Sequence, residues 1–106
     1  MDPKIKAKME ARAAILKALA HPTRLFIVDQ LSQKRLCVAE LTALIQADMS
    51  TVSKHLSLLK NVGVVQGHKQ GTQIFYQLAT PCVLDFFTCL ESILQSRVQT
   101  HLEVVG

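Results

Sequence analysis

Apolar positions recur along this chain with a helical period over most of its length and with a strand period over one short stretch. Residues 4–19, KIKAKMEARAAILKAL, are rich in Ala, Lys, Glu and Leu with no breaker after Pro3, and predict a first helix. Ala20, His21 and Pro22 interrupt it. Pro22 suits the first turn of a second helix, PTRLFIVDQLS, whose Leu25, Ile27, Val28 and Leu31 make it a mostly buried element. After a polar break at 33–35, CVAELTALI sets Cys37, Leu41, Leu44 and Ile45 on one apolar stripe of a third helix. A second break at 46–49 precedes STVSKHLSLLKNV, which Asp48 or Ser50 is suited to cap. There Val52, Leu56 and Leu59 face a core, while Thr51, Ser53, Lys54, Ser57 and Lys60 form a polar and basic face, and Gly63 ends the helix.

From Val64 the period changes. Residues 64–68 read as one strand and 72–78, with Ile74, Tyr76 and Leu78 alternating, as another, joined by a turn at Lys69, Gln70 and Gly71. A lone hairpin is marginal, so it is expected to pack on the helices. Thr80 as N-cap and Pro81 at the first helical position then open a last helix over about 81–102. Its apolar residues, among them Val83, Phe86, Leu90, Ile93, Val98 and Leu102, form a stripe too wide for one partner surface, which a second copy would cover. The expected architecture is mainly α with a β-hairpin wing, a winged helix-turn-helix of order α-α-α-α-β-β-α, as a single domain over residues 1–106.

Charge sharpens this picture. The chain carries a formal +4, but residues 1–69 hold eleven of the twelve Lys and Arg against five acids, so the positive charge is concentrated where a polyanion would bind. With 106 residues there is room for one modest core, and no grouping of acid, base and nucleophile suggests an enzyme. No apolar run reaches the roughly 18 residues that span a bilayer, and the first twenty residues lack a signal peptide's apolar core, so a cytoplasmic protein without membrane contact is expected. Three cysteines in no close-spaced pair fit free thiols in a reducing compartment.

Two short helices joined by a polar turn and followed by a basic hairpin match the helix-turn-helix and wing geometry. A helix enters a major groove only if its outward face carries small polar and basic groups. Ser50, Thr51, Ser53, Lys54 and Ser57 meet that condition. Ser53 and His55 are the candidates for base edges, and Ser50, Thr51, Lys54 and Lys60 for phosphates. His68, Lys69, Gln70 and Thr72 surround the hairpin tip, where the lack of arginine favours backbone contact over narrow-groove reading. An ordinary solvated turn, or a protein-interaction module with a polar helix face, fits the same pattern.

From about residue 15 to 102 the chain resembles the ArsR/SmtB family of metal- and metalloid-responsive repressors. The resemblance is carried by LAHPTRLFIVDQL at 19–31, CVAEL at 37–41, MSTVSKHLSLLKNVGVV at 49–65 and GTQIFYQL at 71–78. It implies a homodimer formed by the first and last helices, double-stranded operator DNA with an inverted repeat, and release of that DNA by an effector. The family's last-helix zinc pattern falls on Asp85, Phe87, Val98 and His101, two of them apolar, which argues against a complete zinc site. Its Cys-Val-Cys metalloid motif falls on Cys37, Val38 and Ala39, which keeps one thiol and loses the other.

Cys82 and Cys89 are the thiols that would complete such a site, although seven residues apart they stand about 10.5 Å from each other along a straight helix. The resemblance thus implies no required cofactor and an effector such as As(III), Sb(III) or another thiophilic metal, engaged by Cys37, Cys82 and Cys89. A thiol-redox switch, a metal held by mixed Cys, His and acid ligands, and a regulator with no small ligand stay open beside it. Each cysteine also fits as plain core, and His21 as a structural residue.

Overall fold

A computed structural model describes the backbone of residues 1–105 and the side chains of residues 1–99. Helix α1 runs Pro3–Leu19, α2 Pro22–Leu31, α3 Val38–Ile45, α4 Met49–Asn61 and α5 Val83–Val105; β1 is Leu36–Cys37, β2 Val65–Gln70 and β3 Gln73–Leu78. Short strand β1 is an addition to the expected order. It pairs antiparallel with β3, Leu36 opposite Tyr76 and Cys37 opposite Phe75, giving a three-stranded sheet in the order β1-β3-β2. A two-residue strand carries no readable alternation, because its pairing is set by where β3 lies in space.

Each helix boundary has a local cause. Asp2 accepts from Lys4 N at 2.7 Å and His21 Nδ1 from Thr23 N at 3.1 Å, and a proline follows each cap at the first helical position, where its missing N–H costs nothing. Glu40 Oε1 reaches back to Cys37 N at 3.0 Å and closes the start of α3. Asp48 accepts from Thr51 N at 2.8 Å and starts α4. Helix α4 ends in a Schellman arrangement: Gly63, at φ +84, donates to Lys60 O at 3.0 Å, and Val64 donates to Leu59 O at 3.0 Å. Leu59 and Val64 are both buried, so the cap also seats β2 on the core.

The core is one cluster in which Ile27, Val28 and Leu31 of α2 meet Leu41 of α3, Val52, Leu56 and Leu59 of α4, Leu36 of β1 and Val64 with Val65 beside β2. At roughly 1.5–3 kcal/mol for each fully buried aliphatic side chain, these contacts dominate the stability of the domain. Leu44, expected on the buried stripe of α3, is instead half exposed.

Two expected boundaries move. The hairpin turn is Gly71–Thr72, not Lys69–Gly71, since Gln70 pairs with Gln73. Positive φ at Gly71 alone is the pattern of a type II′ turn, whose twist suits the flanking strands. Thr80 does not cap α5; its hydroxyl donates to Gly63 O at 3.0 Å and ties the end of the sheet to the end of α4. Residues 81–82 form a turn, and α5 begins at Val83. Leu102 and His101 have side chains outside the described residues.

Helices α1 and α5 project from the core. Only Ala18 and Leu19 of α1 are buried, and every described residue of α5 from Thr88 to Gln99 is exposed. Among the described residues no helix is long and apolar enough to cross a membrane.

Gln46, which closes α3 at φ 61, is the one non-glycine residue with positive φ among the described residues. The left-handed region costs an L side chain about 1–2 kcal/mol, part of which glycine returns as unfolded-state entropy. Gln46→Gly is expected to raise unfolding stability by about 0.5–1 kcal/mol, and Gln46→Val to lower it by about 1 kcal/mol, in urea titrations followed by circular dichroism.

Candidate nucleic-acid interface

Burial of Val52, Leu56 and Leu59 determines which side of α4 faces out. Ser50, Thr51, Ser53, Lys54, Ser57 and Lys60 are all exposed, so the expected polar and basic face is intact and free of bulk. Its apolar exceptions are Met49 at the helix start and Leu58, which flank that face. Beside it His68, Lys69 and Gln70 close β2, with Thr72 in the turn, and all four are exposed. His68 stands opposite Phe75 and Lys69 opposite Ile74, so the polar tip is held by an apolar partner strand.

The start of α4 is already occupied by an anion of the protein. Asp48 Oδ1 takes both Thr51 N and Ser50 Oγ, each at 2.8 Å. The Thr51 hydroxyl and N–H, followed by the Ser50 hydroxyl, hold the Asp48 carboxyl below its usual range. Ser50 and Thr51 were expected to hold a phosphate there. The Ser50 hydroxyl and the Thr51 N–H are thus engaged by Asp48, whereas the side chains of Lys54 and Lys60, the other phosphate candidates, stand exposed.

His55, expected at a base edge, has one ring nitrogen engaged within the protein. It is half-buried, and its Nδ1 accepts from Arg24 Nε of α2 at 3.1 Å. Its ring lies 4.6 Å from that of His21, tilted by 52°. Burial, then His21 and Arg24, lower its pKa. The guanidinium also donates from its NH1 group to Ala18 O at 2.8 Å, near the end of α1. Arg24 was not singled out in the sequence, although one arginine within the apolar run PTRLFIVDQL was a signal that it is held by a partner.

The three thiols are dispersed. Cys37 is buried at the head of α3, whereas Cys82, in the turn before α5, and Cys89 are exposed and unpaired. The Cys37 N–H, then its thiol, bond the Glu40 carboxylate and lower its pKa. Cys89, which also fitted a core role, lines an apolar groove of about 400 Å³ between α1, α2 and α5 with Leu16, Leu25, Phe86 and Leu90. At the positions of the family zinc pattern, Asp85 and Val98 are exposed and Phe87 packs on the core; the side chain of His101 lies outside the described residues. Among the described residues no three His, Cys, Asp or Glu side chains gather as a metal site would require.

Comparison with known proteins agrees with this geometry. The sequence profile of bacterial regulatory proteins of the arsR family matches residues 21–66. The chain is 41% identical over 71 residues to the transcriptional repressor SmtB of Mycobacterium tuberculosis, covering 67% of this chain and 53% of that protein, so it spans about half the length of that relative. It is 35% identical over 95 residues to the transcriptional repressor PagR of Bacillus anthracis, covering 88% of this chain and 95% of the relative. A homodimeric winged helix-turn-helix DNA-binding domain from Mycobacterium bovis superimposes with a TM-score of 0.81 at 27% identity, covering 95% of this chain and 94% of that one.

The Asp48 cap yields a signed pH prediction. A carboxyl whose folded pKa is lowered adds stability above its unfolded value, and that stability is lost as pH falls through the folded value. Asp48→Ala is expected to lower the thermal midpoint at pH 7, and the gap from the parent protein to narrow below its ordinary pKa of 3.8. Calorimetry of both proteins from pH 7 to pH 2 measures it.

Proposed function

The chain belongs to the ArsR/SmtB family of winged helix-turn-helix regulators, and on that premise we propose that two copies of it bind operator DNA through α4 and the wing and repress transcription there. Family and fold are those of a regulatory protein, not of an enzyme. The observation that carries the reading is the division of α4, with Val52, Leu56 and Leu59 fully buried while Ser53, Lys54, Ser57 and Lys60 stand exposed beside a polar wing. Short hydroxyls fit the floor of a major groove, ammonium groups its phosphate walls.

A dimer is supported by the helices that leave the core. Phe86, Leu90, Ile93, Leu94 and Val98 are each about half exposed along one side of α5, and Ile5, Met9 and Leu16 along one side of α1. Isolated helices in water are marginal without tertiary packing, so these stripes call for a partner, and the homodimeric relative suggests a second copy. A two-fold axis would present two α4 helices about one DNA turn apart, roughly 34 Å, to an inverted repeat.

The effector reading is thiol chemistry at Cys82 and Cys89, the exposed pair, with thiols of both copies taking part. As(III) and Sb(III) prefer soft thiolates, and a mild oxidant is the competing agent. Cys37 fits this role poorly, being buried and engaged with Glu40. Among the described residues of one copy no metal site forms, and Phe87 and Val98 interrupt the family's zinc pattern.

Fluorescence anisotropy with DNA from upstream of the protein's own reading frame tests the regulator. Binding is expected to weaken steeply with salt, Lys54→Ala with Lys60→Ala to flatten that salt slope, and Ser53→Ala to reduce sequence discrimination. Phe86→Asp with Ile93→Asp is expected to give a monomer by sedimentation that no longer holds the full site. Salt-independent binding, or full affinity in the monomer, would refute the reading.

Arsenite and diamide titrations of the bound complex test the effector. Release is expected in the parent and in Cys37→Ser, and is expected to vanish in Cys82→Ser with Cys89→Ser while DNA affinity persists. Unchanged release in that double variant removes the cysteines from the mechanism.

A further inference from the structure

Arg24 of α2 sits where three helices converge and contacts both of the others, α1 and α4. One arm donates to Ala18 O in the last turn of α1, and Nε donates to His55 Nδ1 in the middle of α4. Helix α1 is the element that leaves the core, and α4 is the element that carries the polar face. One rigid guanidinium fork thus links the two across α2. Arginine keeps its proton at any working pH, so Nε is always a donor and His55 Nδ1 must present a lone pair to it. His21 has the same requirement, since its Nδ1 accepts from Thr23 N to cap α2.

We propose that the Ala18–Arg24–His55 chain is a proton-sensitive clamp that positions the recognition helix against α1 and α2, and that protonation of His55 releases it and weakens DNA binding as pH falls. The proposal rests on the DNA-binding reading above.

Protonation places an N–H where the lone pair was, facing the N–H of Arg24, and adds a cation beside the guanidinium. The charged and titratable groups facing His55 are Arg24 from α2 and His21 from the junction of α1 and α2. Helix α1 contributes the neutral Ala18 carbonyl, and on α4 itself Lys54 is exposed. Helix α3 and strand β2 also pack on α4. Neither brings compensation: among the described residues the one ion pair is Lys6 with Glu10 on α1, so no carboxylate stands within pairing distance of the ring. Arg24 and His55 are positioning residues here, acting through α4 and not by touching DNA. Burial and both neighbours favour the neutral ring, so the folded protein resists this protonation and loses stability as pH falls through and below the ordinary histidine value of 6.5.

Acid acts on DNA affinity in two opposing directions, which the test must separate. Added positive charge on the protein tightens binding to a polyanion, whereas opening of the clamp loosens it. His55→Gln retains a neutral acceptor for Arg24 that does not titrate, and leaves His21 and His68 in place. The measurement is the ratio of Kd at pH 5.5 to Kd at pH 8 for the parent, His55→Gln and His55→Leu, at constant ionic strength.

The expected result is a ratio roughly three- to tenfold higher in the parent than in His55→Gln, about the net contribution of one ordinary hydrogen bond. His55→Leu is expected to bind weakly at both pH values and to be rescued by Gln. Equal ratios in the parent and His55→Gln overturn the proposal. Independently of DNA, nitrogen-detected histidine NMR of the parent is expected to show His55 with its proton on Nε2 at pH 8, and α4 and Ala18 amide shifts that follow its titration. A protonated Nδ1 at pH 8, or α4 amides indifferent to that titration, also overturns it. Failure to bind DNA at any pH refutes the DNA-binding reading and leaves the NMR result to decide whether the clamp exists.

Discussion

Burial of Val52, Leu56 and Leu59 is the constraint on which the rest of this molecule depends. Spaced four and three residues apart, they lock one side of α4 into the cluster built by α2, α3 and the sheet. A rotation of α4 by one residue, about 100° at 3.6 residues per turn, would push serines and lysines into an apolar core and expose leucines. Such a state costs several kcal/mol in transfer free energy alone, so the polar face is held outward by the core and not by anything on the surface. The functional surface is the complement of a packing solution.

Polar contacts then refine what the core has set. Asp48 decides where α4 begins and the Gly63 turn where it ends, and Thr80 ties the exit of the sheet back to that same turn. The wing and the recognition helix are therefore connected at one corner, so a displacement of α4 is felt by β2 and β3. In the middle of the helix Arg24 joins α4 to α1. These links are few and partly exposed, which makes them the places where the domain yields most readily, whereas the aliphatic centre does not.

Helices α1 and α5 follow a different logic. Their apolar stripes lie outside the monomer's core, so their order depends on packing that one copy does not provide. In the proposed dimer, coupling to DNA reading would run through whatever joins α1 to α4, and the Arg24 guanidinium is a direct link between them. Cys82, in the turn before α5, and Cys89 on α5 are exposed at the other projecting helix, so the proposed thiol chemistry would act beside the seam of the proposed dimer.

Periodicity by itself determined the five helices, the hairpin, and the assignment of Ser53, Lys54, Ser57 and Lys60 to an outward face, because each rests on repeats of local spacing that any helix or strand must obey. The short-range cap at Asp48 was equally open to reading from residue type, whereas the cap at His21 was not, histidine being no usual N-cap residue. What needed the tertiary structure depended on groups remote in the chain. Strand β1 exists only because β3 passes beside Leu36, the hairpin turn fell at Gly71–Thr72 because pairing shifted the register, and Thr80 was diverted from its cap by the Gly63 carbonyl. The sequence showed the place of His55 on α4 but not Arg24, thirty-one residues earlier, which donates to its Nδ1. Local sequence specifies the period of an element and hence its faces; only the folded chain decides which distant partner each polar atom meets, since that depends on where other elements come to rest.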